Sequence, residues 1–382
     1  MIDRRILAHF DYILVVLILP LIGISLFLIS ELDSALFAKQ IKYIAASFGL
    51  MVFLFFVPFR QLNVVIMVAY GMCVLLLILV HFIGTQKLGA QRWVDIPFTS
   101  FSIQPSEIMK IALMLLLASY ITTNPPPKDG YGIKEFCIIS FLILLPFLII
   151  LKEPDLGTAM VILLTGFGTL FLIGVNKRIW FALGLVVVFL APVAYVVDPL
   201  KDYQKRRIMD FVSDKSPYQV NQALIAIGAS GFFGKSKEES TQSQLKFLPY
   251  ANTDFVFAYF VERFGLFGAF SLLALFFGIV VHILSLGFSY TRDYFLRVVS
   301  SYIAILIFLY VGVNVCMVIG LAPVVGIPLP LMSYGGTSFV TFMTLFTILE
   351  SILAFRFVFE YNTSSRLDPF SQLLRAFGFR SF

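Results

Sequence analysis

The stretch FGLFGAFSLLALFFGIVVHILSLG, residues 264–287, decides the fold class, because its 24 residues include no Asp, Glu, Lys or Arg. A helix needs roughly 17 to 25 apolar residues to cross a bilayer core about 30 Å thick. Nine further apolar stretches of comparable length occur along the chain. We therefore predict an all-α, polytopic membrane protein with ten transmembrane helices, because a backbone in lipid must satisfy its own hydrogen bonds. The predicted spans are residues 10–30, 41–59, 62–84, 105–122, 136–151, 156–174, 179–197, 264–287, 297–320 and 337–358.

The composition of the 382-residue chain agrees with this class. Hydrophobic residues make up 59% of it and charged residues 13%, about half the charged share of soluble proteins. So few charges cannot cover a water-soluble surface, which excludes an ordinary soluble enzyme and a disordered chain. The net charge of +6 comes from scattered Lys and Arg residues, so nucleic-acid binding is not predicted. The three Cys residues lie in apolar segments and the three His residues are dispersed, which predicts neither a disulfide framework nor a metal cluster.

The Lys and Arg residues of the short connections orient the chain. Thirteen fall on the side that also holds both termini, and five fall on the other side, namely Lys39, Lys42, Lys87, Arg92 and Lys152. Connections rich in Lys and Arg remain in the cytoplasm, so both termini are predicted to be cytoplasmic. Residues 1–358 then form a transmembrane domain with a large extracytoplasmic loop at residues 198–263, and residues 359–382 form a cytoplasmic tail.

Charged residues in and beside the fourth span form the first candidate site. Glu107 and Lys110 are one helical turn apart, so they share a face and can pair. A charge at membrane depth costs roughly 2.5 to 3.5 kcal/mol, and such residues usually face a cavity. A structural ion pair and a polar wall of a substrate cavity both remain open. Arg92 precedes this helix and is either a contact for an anionic headgroup or a solvated loop charge.

Two carboxylates occupy the tight connection between the fifth and sixth spans, in the sequence KEPDLGTA, residues 152–159. Asp155 can cap the sixth helix, and Gly157 allows close packing. The alternative is that Glu153 or Asp155 binds substrate or a cation.

Asp254 lies where the long loop meets the eighth span, and apolar residues follow it at once. Partial burial there raises the pKa of a carboxylic acid, which makes the carboxylate a better base near neutral pH. The alternative is an N-cap for the next helix. Glu262 follows about two helical turns later and can share the face of Asp254, or pair with a basic neighbour such as Arg263.

The connection between the ninth and tenth spans, residues 314–338, is rich in Gly and Pro and carries no charge. Irregular backbone at membrane depth is tolerated only against protein or a wet cavity. Ser333 and Tyr334 can donate hydrogen bonds to a phosphate or a sugar, or the segment is a structural re-entrant turn. Asn314 is predicted to bond a neighbouring helix, and Glu350 to make a structural pair.

Several of these motifs together resemble the SEDS family of bacterial cell-wall polymerases. They are QPSEIMK, PDLGTA, YQVNQALIAIG, TQSQLKFLPYANTDFVFA and GLAPVVGIPLPLMSYGGTS, in that order along the chain. The short amino-terminal segment and the sequence GIPLPL favour the elongation-type, RodA-like members over the division-type, FtsW-like members. Among the departures, Asn252 stands where the family often has His, and Glu153 stands where Gln is common.

The resemblance implies a peptidoglycan glycosyltransferase that polymerises lipid II at the outer face of the bacterial inner membrane, for cell elongation and shape maintenance. It implies that Asp254, in the TDF motif, is catalytic, and it matches Glu107 and Lys110 to the PSE-x-x-K motif. It also implies a class B penicillin-binding protein as partner for transpeptidation, together with other cell-elongation machinery. The predicted substrate-binding or cavity residues are Glu107, Lys110, Arg92, Glu262, Ser333 and Tyr334.

A mechanism follows from these residue types. We expect Asp254 to take the proton of the acceptor 4-hydroxyl, which attacks the anomeric carbon of the donor while polyprenyl pyrophosphate leaves. The leaving group needs cationic support, which Lys110, Arg92 or a divalent cation (Mg²⁺ or Mn²⁺) could supply. The sequence does not determine whether a metal takes part. Two other classes remain open: a lipid-linked precursor flippase or transporter, and a scaffold that recruits a synthase.

Overall fold

The computed structural model describes residues 9–87, 90–95, 102–153, 155–185, 217–240, 247–290 and 293–356. Its helices, in chain order, are α1 (Tyr12–Leu32), α2 (Ser34–Phe55), α3 (Asn63–Ile83), α4 (Pro105–Thr123), α5 (Ile133–Lys152), α6 (Leu156–Ile173), α7 (177–185), α8 (Tyr218–Gly228), α9 (Val256–Ser289), α10 (Tyr294–Val318) and α11 (Gly336–Ala354). Within the described ranges, nine of them, all but α7 and α8, are long and apolar enough to cross a membrane. The predicted class, an all-α polytopic membrane protein, is confirmed.

Nine of the ten predicted spans correspond to these nine helices. The seventh, residues 179–197, is described only to residue 185, as α7, and its remainder lies outside the described residues. Much of the predicted loop 198–263 and the whole of the predicted tail 359–382 also lie outside them. The described part of the loop contains α8 and several turns.

The second span begins earlier than predicted. α2 starts at Ser34 rather than at residue 41, because the side chain of Asp33 caps it. That side chain accepts hydrogen bonds from two backbone N–H groups of the first turn, at 2.7 and 3.2 Å. Lys39 and Lys42, which were expected in a connection, therefore lie within the helix, and their assignment to a loop was wrong.

The helix that carries the eighth span, α9, begins at Val256 and is broken at Gly265, next to the predicted start of that span at residue 264. Beyond the break, residues 266–289 extend about 36 Å at 1.5 Å per residue, which is enough to cross a bilayer core of about 30 Å. Before the break, Arg263 forms hydrogen bonds of 2.9 and 2.8 Å with both carboxylate oxygens of Glu31, in α1. Residues 256–263, which were predicted as the end of the long loop, are therefore helical, and the predicted start of the eighth span lies at the break in α9.

A break within α9 anchors the long loop. Gly265 interrupts the helix with φ of 68°, and three backbone hydrogen bonds of 3.0 to 3.1 Å join residues 231–235 to residues 262–267. A Cβ atom on Gly234 or on Gly265 would lie 2.2 or 2.3 Å from backbone atoms of the other segment. Two glycines thus allow the loop and the helix to meet backbone to backbone.

α10 forms the centre of the helix bundle. It packs against α9, α4 and α6, and it buries side chains such as Tyr302, Ile303 and Ile307 along most of its length. α4 and α11 are also buried on most of their faces. In contrast, α2 packs mainly against α11 and buries only Gln40 and Ser47. α2 therefore lies at the periphery, with most of its surface toward lipid.

The helix ends define two surfaces. α3, α5 and α10 end at the surface where α4, α6 and α11 begin, and we call this surface the site end and the other one the opposite end. The site end carries a three-stranded antiparallel sheet of β1 (Thr85–Lys87), β2 (Ala90–Asp95) and β3 (Ser102–Ile103). The sequence did not predict this sheet, which places Arg92 and Trp93 on β2.

Candidate functional site

Asn314 of α10 holds the loop that contains Asp254. Its Nδ2 atom donates hydrogen bonds to the carbonyl oxygens of Asp254 and Ile327, at 2.8 and 2.7 Å. Asn314 is fully buried. The sequence predicted a bond to a neighbouring helix, whereas both partners are carbonyl groups of connections. One side chain thus ties α10 to the loop before α9 and to the connection before α11.

Ser333 and Tyr334 brace the same loop. Ser333 Oγ donates to the carbonyl oxygen of Thr253 at 2.6 Å and accepts from a backbone N–H of its own connection at 2.8 Å. The backbone N–H of Tyr334 donates to the carbonyl oxygen of Asn252 at 2.7 Å. The Ser333 hydroxyl therefore supports the backbone just before Asp254, and its contact with a phosphate or sugar stays a prediction.

The carboxylate of Asp254 lies between solvent and the protein interior. Its Oδ2 atom lies close to Gly326, where an added Cβ would stand 3.5 Å from it. Burial raises the pKa of Asp254, and the positive charge of Arg92 opposes that rise. A carboxylate with a raised pKa takes up a proton more readily, so Asp254 is a stronger base than an exposed aspartate. The alternative that Asp254 caps α9 was wrong, because the N-cap position is Phe255 and no side chain caps that helix end.

Arg92 joins the sheet to the start of α6. Its Nη1 atom lies 2.9 Å from Oδ2 of Asp155, which also accepts a hydrogen bond from Gln104 at 3.1 Å. Oδ1 of Asp155 accepts from the backbone N–H of Thr158 at 3.2 Å, so the predicted cap of α6 is confirmed. The alternative of a solvated loop charge was wrong for Arg92, because its side chain is 24% exposed and pairs with a buried carboxylate.

Glu153 adds a third carboxyl group beside Arg92. Its residue is 3% exposed, and its Oε1 atom has no hydrogen-bond partner among the described residues. Burial raises the pKa of Glu153 to about 8, the charge of Asp155 adds to the rise, and Arg92 opposes it. Arg92 therefore acts on Glu153 and Asp254 as well as on its direct partner Asp155. The guanidinium of Arg92 thus forms an ion pair with one carboxyl group and opposes the rise in pKa of two others.

The predicted pair on α4 is confirmed. Nζ of Lys110 lies 2.6 Å from Oε1 of Glu107, and Lys110 is fully buried. Lys110 also donates a hydrogen bond to the hydroxyl of Tyr310, and its Nζ lies 4.8 Å from the centre of that ring. Oε2 of Glu107 has no hydrogen-bond partner within the described part of the chain.

α10 connects Lys110 to the loop that contains Asp254, which we call the aspartate loop. Tyr310, the partner of Lys110, and Asn314, the partner of Asp254, are four residues apart on this helix. Four residues correspond to about 6 Å along a helix axis. The central helix therefore places the buried ammonium group about one turn away from the contact that fixes the aspartate loop.

A cavity of about 610 Å³ opens beside these groups, between α2, α4, α11 and the sheet. Thr253, which precedes Asp254, lines it, and so does Glu107, the partner of Lys110. The cavity therefore reaches from the aspartate loop to the buried pair. Its other lining residues are Tyr43, Ala46, Leu50, Trp93, Ser102, Ile103, Ile108, Ile111, Tyr334, Gly335, Gly336, Thr337, Val340, Thr341 and Thr344.

Glu262 stands apart from this cavity. It is fully buried in α9, and its carbonyl oxygen accepts the backbone N–H of Lys235. Its expected basic partner, Arg263, forms a pair with Glu31 instead. Among the predicted site residues, the structure thus brings Glu107, Lys110, Arg92, Tyr334 and the supporting Ser333 together around the loop of Asp254, but not Glu262.

Sequence reasoning missed three contributors to the site. Tyr310 bonds Lys110, Gln104 bonds Asp155, and the ring of Tyr43 lies 6.3 Å from that of Tyr334. A signal existed for the first, because a tyrosine within an apolar span needs a partner for its hydroxyl. None existed for the other two, whose partners are distant in sequence.

The described ranges contain no cluster of three or more His, Cys, Asp or Glu side chains that could hold a metal ion. A divalent cation thus stays a sequence-based prediction. Two positive groups that the structure describes in this region are Arg92 and Lys110.

Known proteins of similar sequence match this chain over most of its length. Residues 2–357 match the FTSW_RODA_SPOVE family model, which is described as a cell cycle protein. The peptidoglycan glycosyltransferase MrdB of Helicobacter pylori (strain ATCC 700392 / 26695) is 52% identical over 379 residues, which cover 98% of this chain and 99% of the relative. The MrdB of Escherichia coli (strain K12) is 36% identical over 356 residues, which cover 90% of this chain and 94% of the relative.

Two solved structures resemble this one over most of its length. One comes from a peptidoglycan synthase complex that coordinates polymerization and crosslinking, with a TM-score of 0.79 and 26% identity over 91% of this chain and 98% of that one. The other is the rod shape determining protein RodA of Thermus thermophilus, with a TM-score of 0.67 and 25% identity over 91% and 98%.

Proposed function

This chain belongs to the FtsW, RodA and SpoVE family, and we propose from that premise that it polymerises lipid II into glycan strands at the outer face of the bacterial inner membrane. It is a peptidoglycan glycosyltransferase with multiple membrane-spanning helices. Its similarity to MrdB and to RodA supports a role in cell elongation and shape maintenance rather than in division.

Asp254 is the general base of this proposal. Its carboxylate removes the proton of the acceptor 4-hydroxyl, and that oxygen forms a bond to the anomeric carbon of the donor glycan. The bond between this carbon and the pyrophosphate oxygen breaks, so polyprenyl pyrophosphate leaves with the electron pair. Attack from the face opposite the leaving group converts an α-linked donor into a β-linkage. One observation supports this role: burial raises the pKa of Asp254, and Thr253, the residue before it, lines the cavity.

A single carboxylate is sufficient because of the leaving group. Glycosidases generally need a second carboxyl group to protonate a poor leaving group. Pyrophosphate leaves as an anion and needs cations instead, placed where the negative charge develops. Arg92, which pairs with Asp155, and Lys110, which pairs with the cavity residue Glu107, are two described cations that can do this, and the apolar walls of α2, α4 and α11 accommodate lipid tails.

In the proposed orientation, the site end of the bundle lies at the outer face of the inner membrane. The excess of Lys and Arg in connections at the opposite end supports cytoplasmic termini and an inner-membrane location. A structural neighbour belongs to a peptidoglycan synthase complex, which supports assembly of this chain with a class B penicillin-binding protein that supplies transpeptidation.

Polymerisation of purified lipid II tests the base. The Asp254→Asn variant keeps the size and backbone contacts of the residue but cannot accept the proton. We expect it to remain folded and to make no detectable glycan strands. The matched control is Asp129→Asn, the same substitution at an exposed turn, which should polymerise at the wild-type rate. Normal glycan synthesis by the Asp254 variant would remove the proposed base.

Sealed vesicles distinguish polymerisation from transport. Wild-type protein in vesicles with labelled lipid II should produce long glycan strands on the face that exposes Asp254. Movement of labelled lipid II across the bilayer without any chain growth would favour a flippase. The Asp254→Asn variant in the same vesicles tests whether a loss of polymerisation comes from the missing carboxylate or from loss of access of lipid II to the site.

A further inference from the structure

The ring of Tyr43 joins α2 to the start of α11 in the wall of the cavity. A Cβ atom on Gly336, the first residue of α11, would lie 2.4 Å from Cε1 of this ring, so the ring lies directly against the glycine. The ring centres of Tyr43 and Tyr334 are 6.3 Å apart, and the hydroxyl groups of the two tyrosines form a hydrogen bond. Tyr43 therefore contacts both α11 and the connection that precedes it.

The connection that contains Tyr334 also supports the aspartate loop. The backbone N–H of Tyr334 donates to the carbonyl oxygen of Asn252 at 2.7 Å. The hydroxyl of the neighbouring Ser333 donates to the carbonyl oxygen of Thr253 at 2.6 Å. Asn252 and Thr253 are the two residues before Asp254. A displacement of Tyr334 is therefore passed to the backbone that carries the carboxylate.

α2 is held by few buried contacts and also borders the cavity. Of its 22 residues, Gln40 and Ser47 are buried, and the helix packs mainly against α11. Tyr43, Ala46 and Leu50 of this helix line the cavity, so a ligand in the cavity contacts α2. Coupling between two elements is carried by packed side chains and hydrogen bonds that form a continuous network. The contacts from Tyr43 through Tyr334 to the aspartate loop form such a network.

We propose that Tyr43 is a positioning residue for the transfer reaction, which holds the aspartate loop through its hydrogen bond to Tyr334 in the geometry that Asp254 needs to reach the acceptor hydroxyl. This inference rests on the proposed function, because the base and the acceptor are those of the polymerisation reaction. A general base acts only within hydrogen-bond reach of the proton that it removes. A small displacement of the loop therefore slows the chemical step, while the walls that bind the substrate stay in place.

Steady-state polymerisation of purified lipid II by the full-length protein tests this role. Tyr43→Phe keeps the ring in the wall of the cavity but removes the hydrogen bond to Tyr334. Loss of one such hydrogen bond corresponds to about a fivefold change in a rate. We therefore expect kcat to fall about fivefold and KM to stay at the wild-type value.

Tyr334→Phe breaks the same hydrogen bond from its other side, and it should lower kcat to a similar extent. The double variant Tyr43→Phe/Tyr334→Phe should be no slower than either single variant, because the second substitution removes no further bond. Losses that multiply in the double variant would show that the two hydroxyl groups act separately, and this result would overturn the proposal.

Tyr70→Phe is the matched control. The hydroxyl of Tyr70 donates to the carbonyl oxygen of Leu142 at 2.7 Å, so it joins α3 to α5, and Tyr70 does not line the cavity. This variant should lose some thermal stability and keep the wild-type kcat.

Thermal unfolding in detergent gives the folded fraction of every variant, so that kcat refers to folded molecules. An unchanged kcat in Tyr43→Phe would overturn the positioning role, and so would a rise in KM without a fall in kcat. These results leave the proposed function intact, because the wild type still polymerises lipid II. A wild type that makes no glycan strands would overturn the proposed function and this inference with it.

Discussion

Arg60 and Arg92 lie at the two ends of the same bundle, and their surroundings differ. Arg60 bonds one carboxylate, Asp293, with both terminal nitrogens, one of them at 2.9 Å, and its guanidinium stands 5.7 Å from the ring centre of Phe295. Arg92 bonds Asp155 through one nitrogen at 2.9 Å and acts electrostatically on Glu153 and Asp254 as well.

The difference shows how to distinguish a structural charge from a functional one in this protein. Two hydrogen bonds tie Arg60 to Asp293, and this pair joins two elements of the bundle. A cation that is outnumbered by carboxyl groups leaves a local electrostatic imbalance, which a substrate or a proton can change. The predictions below test whether this contrast holds.

Lys110 gives the largest expected effect, because it is fully buried and its partner Glu107 keeps one oxygen without a partner among the described residues. Lys110→Met leaves a buried carboxylate uncompensated, so the free energy of unfolding should fall by about 3 to 5 kcal/mol. Thermal unfolding in detergent measures this loss.

The double variant Glu107→Gln/Lys110→Met tests whether the pair has a role beyond folding. It removes both charges, so much of the lost stability should return. Polymerisation of lipid II should stay low, because the cation beside the cavity is still missing. Recovery of polymerisation together with stability would make the pair purely structural.

Arg92→Gln and Arg60→Gln test the contrast directly. Loss of a cation that stabilises developing charge typically lowers a rate by about 10² to 10³, so Arg92→Gln should reduce polymerisation to that extent with a small change in melting temperature. Arg60→Gln should instead lower the free energy of unfolding by about 1 to 3 kcal/mol and keep the rate per folded molecule. The contrast fails if both variants lose stability and activity in the same proportion.

Glu153 gives the smallest expected effect, seen in the pH dependence of stability. Burial raises the pKa of Glu153 to about 8 from an ordinary value of 4.5. The folded state therefore binds the proton more tightly than the unfolded state between these two values, so stability falls as pH rises through that range and levels off above pH 8.

Glu153→Gln cannot ionise and should not show this fall. The melting temperature of the variant should therefore exceed that of the wild type by an amount that grows from about pH 5 to about pH 8. Scanning calorimetry or a fluorescence melt at several pH values measures the difference. Parallel curves for the two proteins across this range would contradict the raised pKa.

The sequence predicts features that depend on local geometry. Apolar length predicts the spans, and a three-residue spacing on a helix predicts the pair of Glu107 and Lys110, because helix geometry brings these side chains together. The cap formed by Asp155 is local for the same reason. Residue type and near spacing are enough in these cases.

Contacts between distant segments were not predictable in this way. Arg92 meets Asp155 only because a small sheet turns β2 toward the start of α6, and Lys110 meets Tyr310 across 200 residues of sequence. The ion pair of Arg263 with Glu31 in α1 was not predicted either, because 232 positions separate the two residues in sequence. Only tertiary packing decides which of several possible partners a charge receives.

The break at Gly265 has a consequence for how this sequence can diverge. Gly234 and Gly265 approach main-chain atoms rather than side chains, so no change in a neighbouring residue could make room for a larger one. Substitutions elsewhere in the loop are compatible with the fold, but alanine cannot replace glycine at these two positions. In distantly related sequences, two glycines at these places would mark where the loop aligns even after every other letter around them had changed.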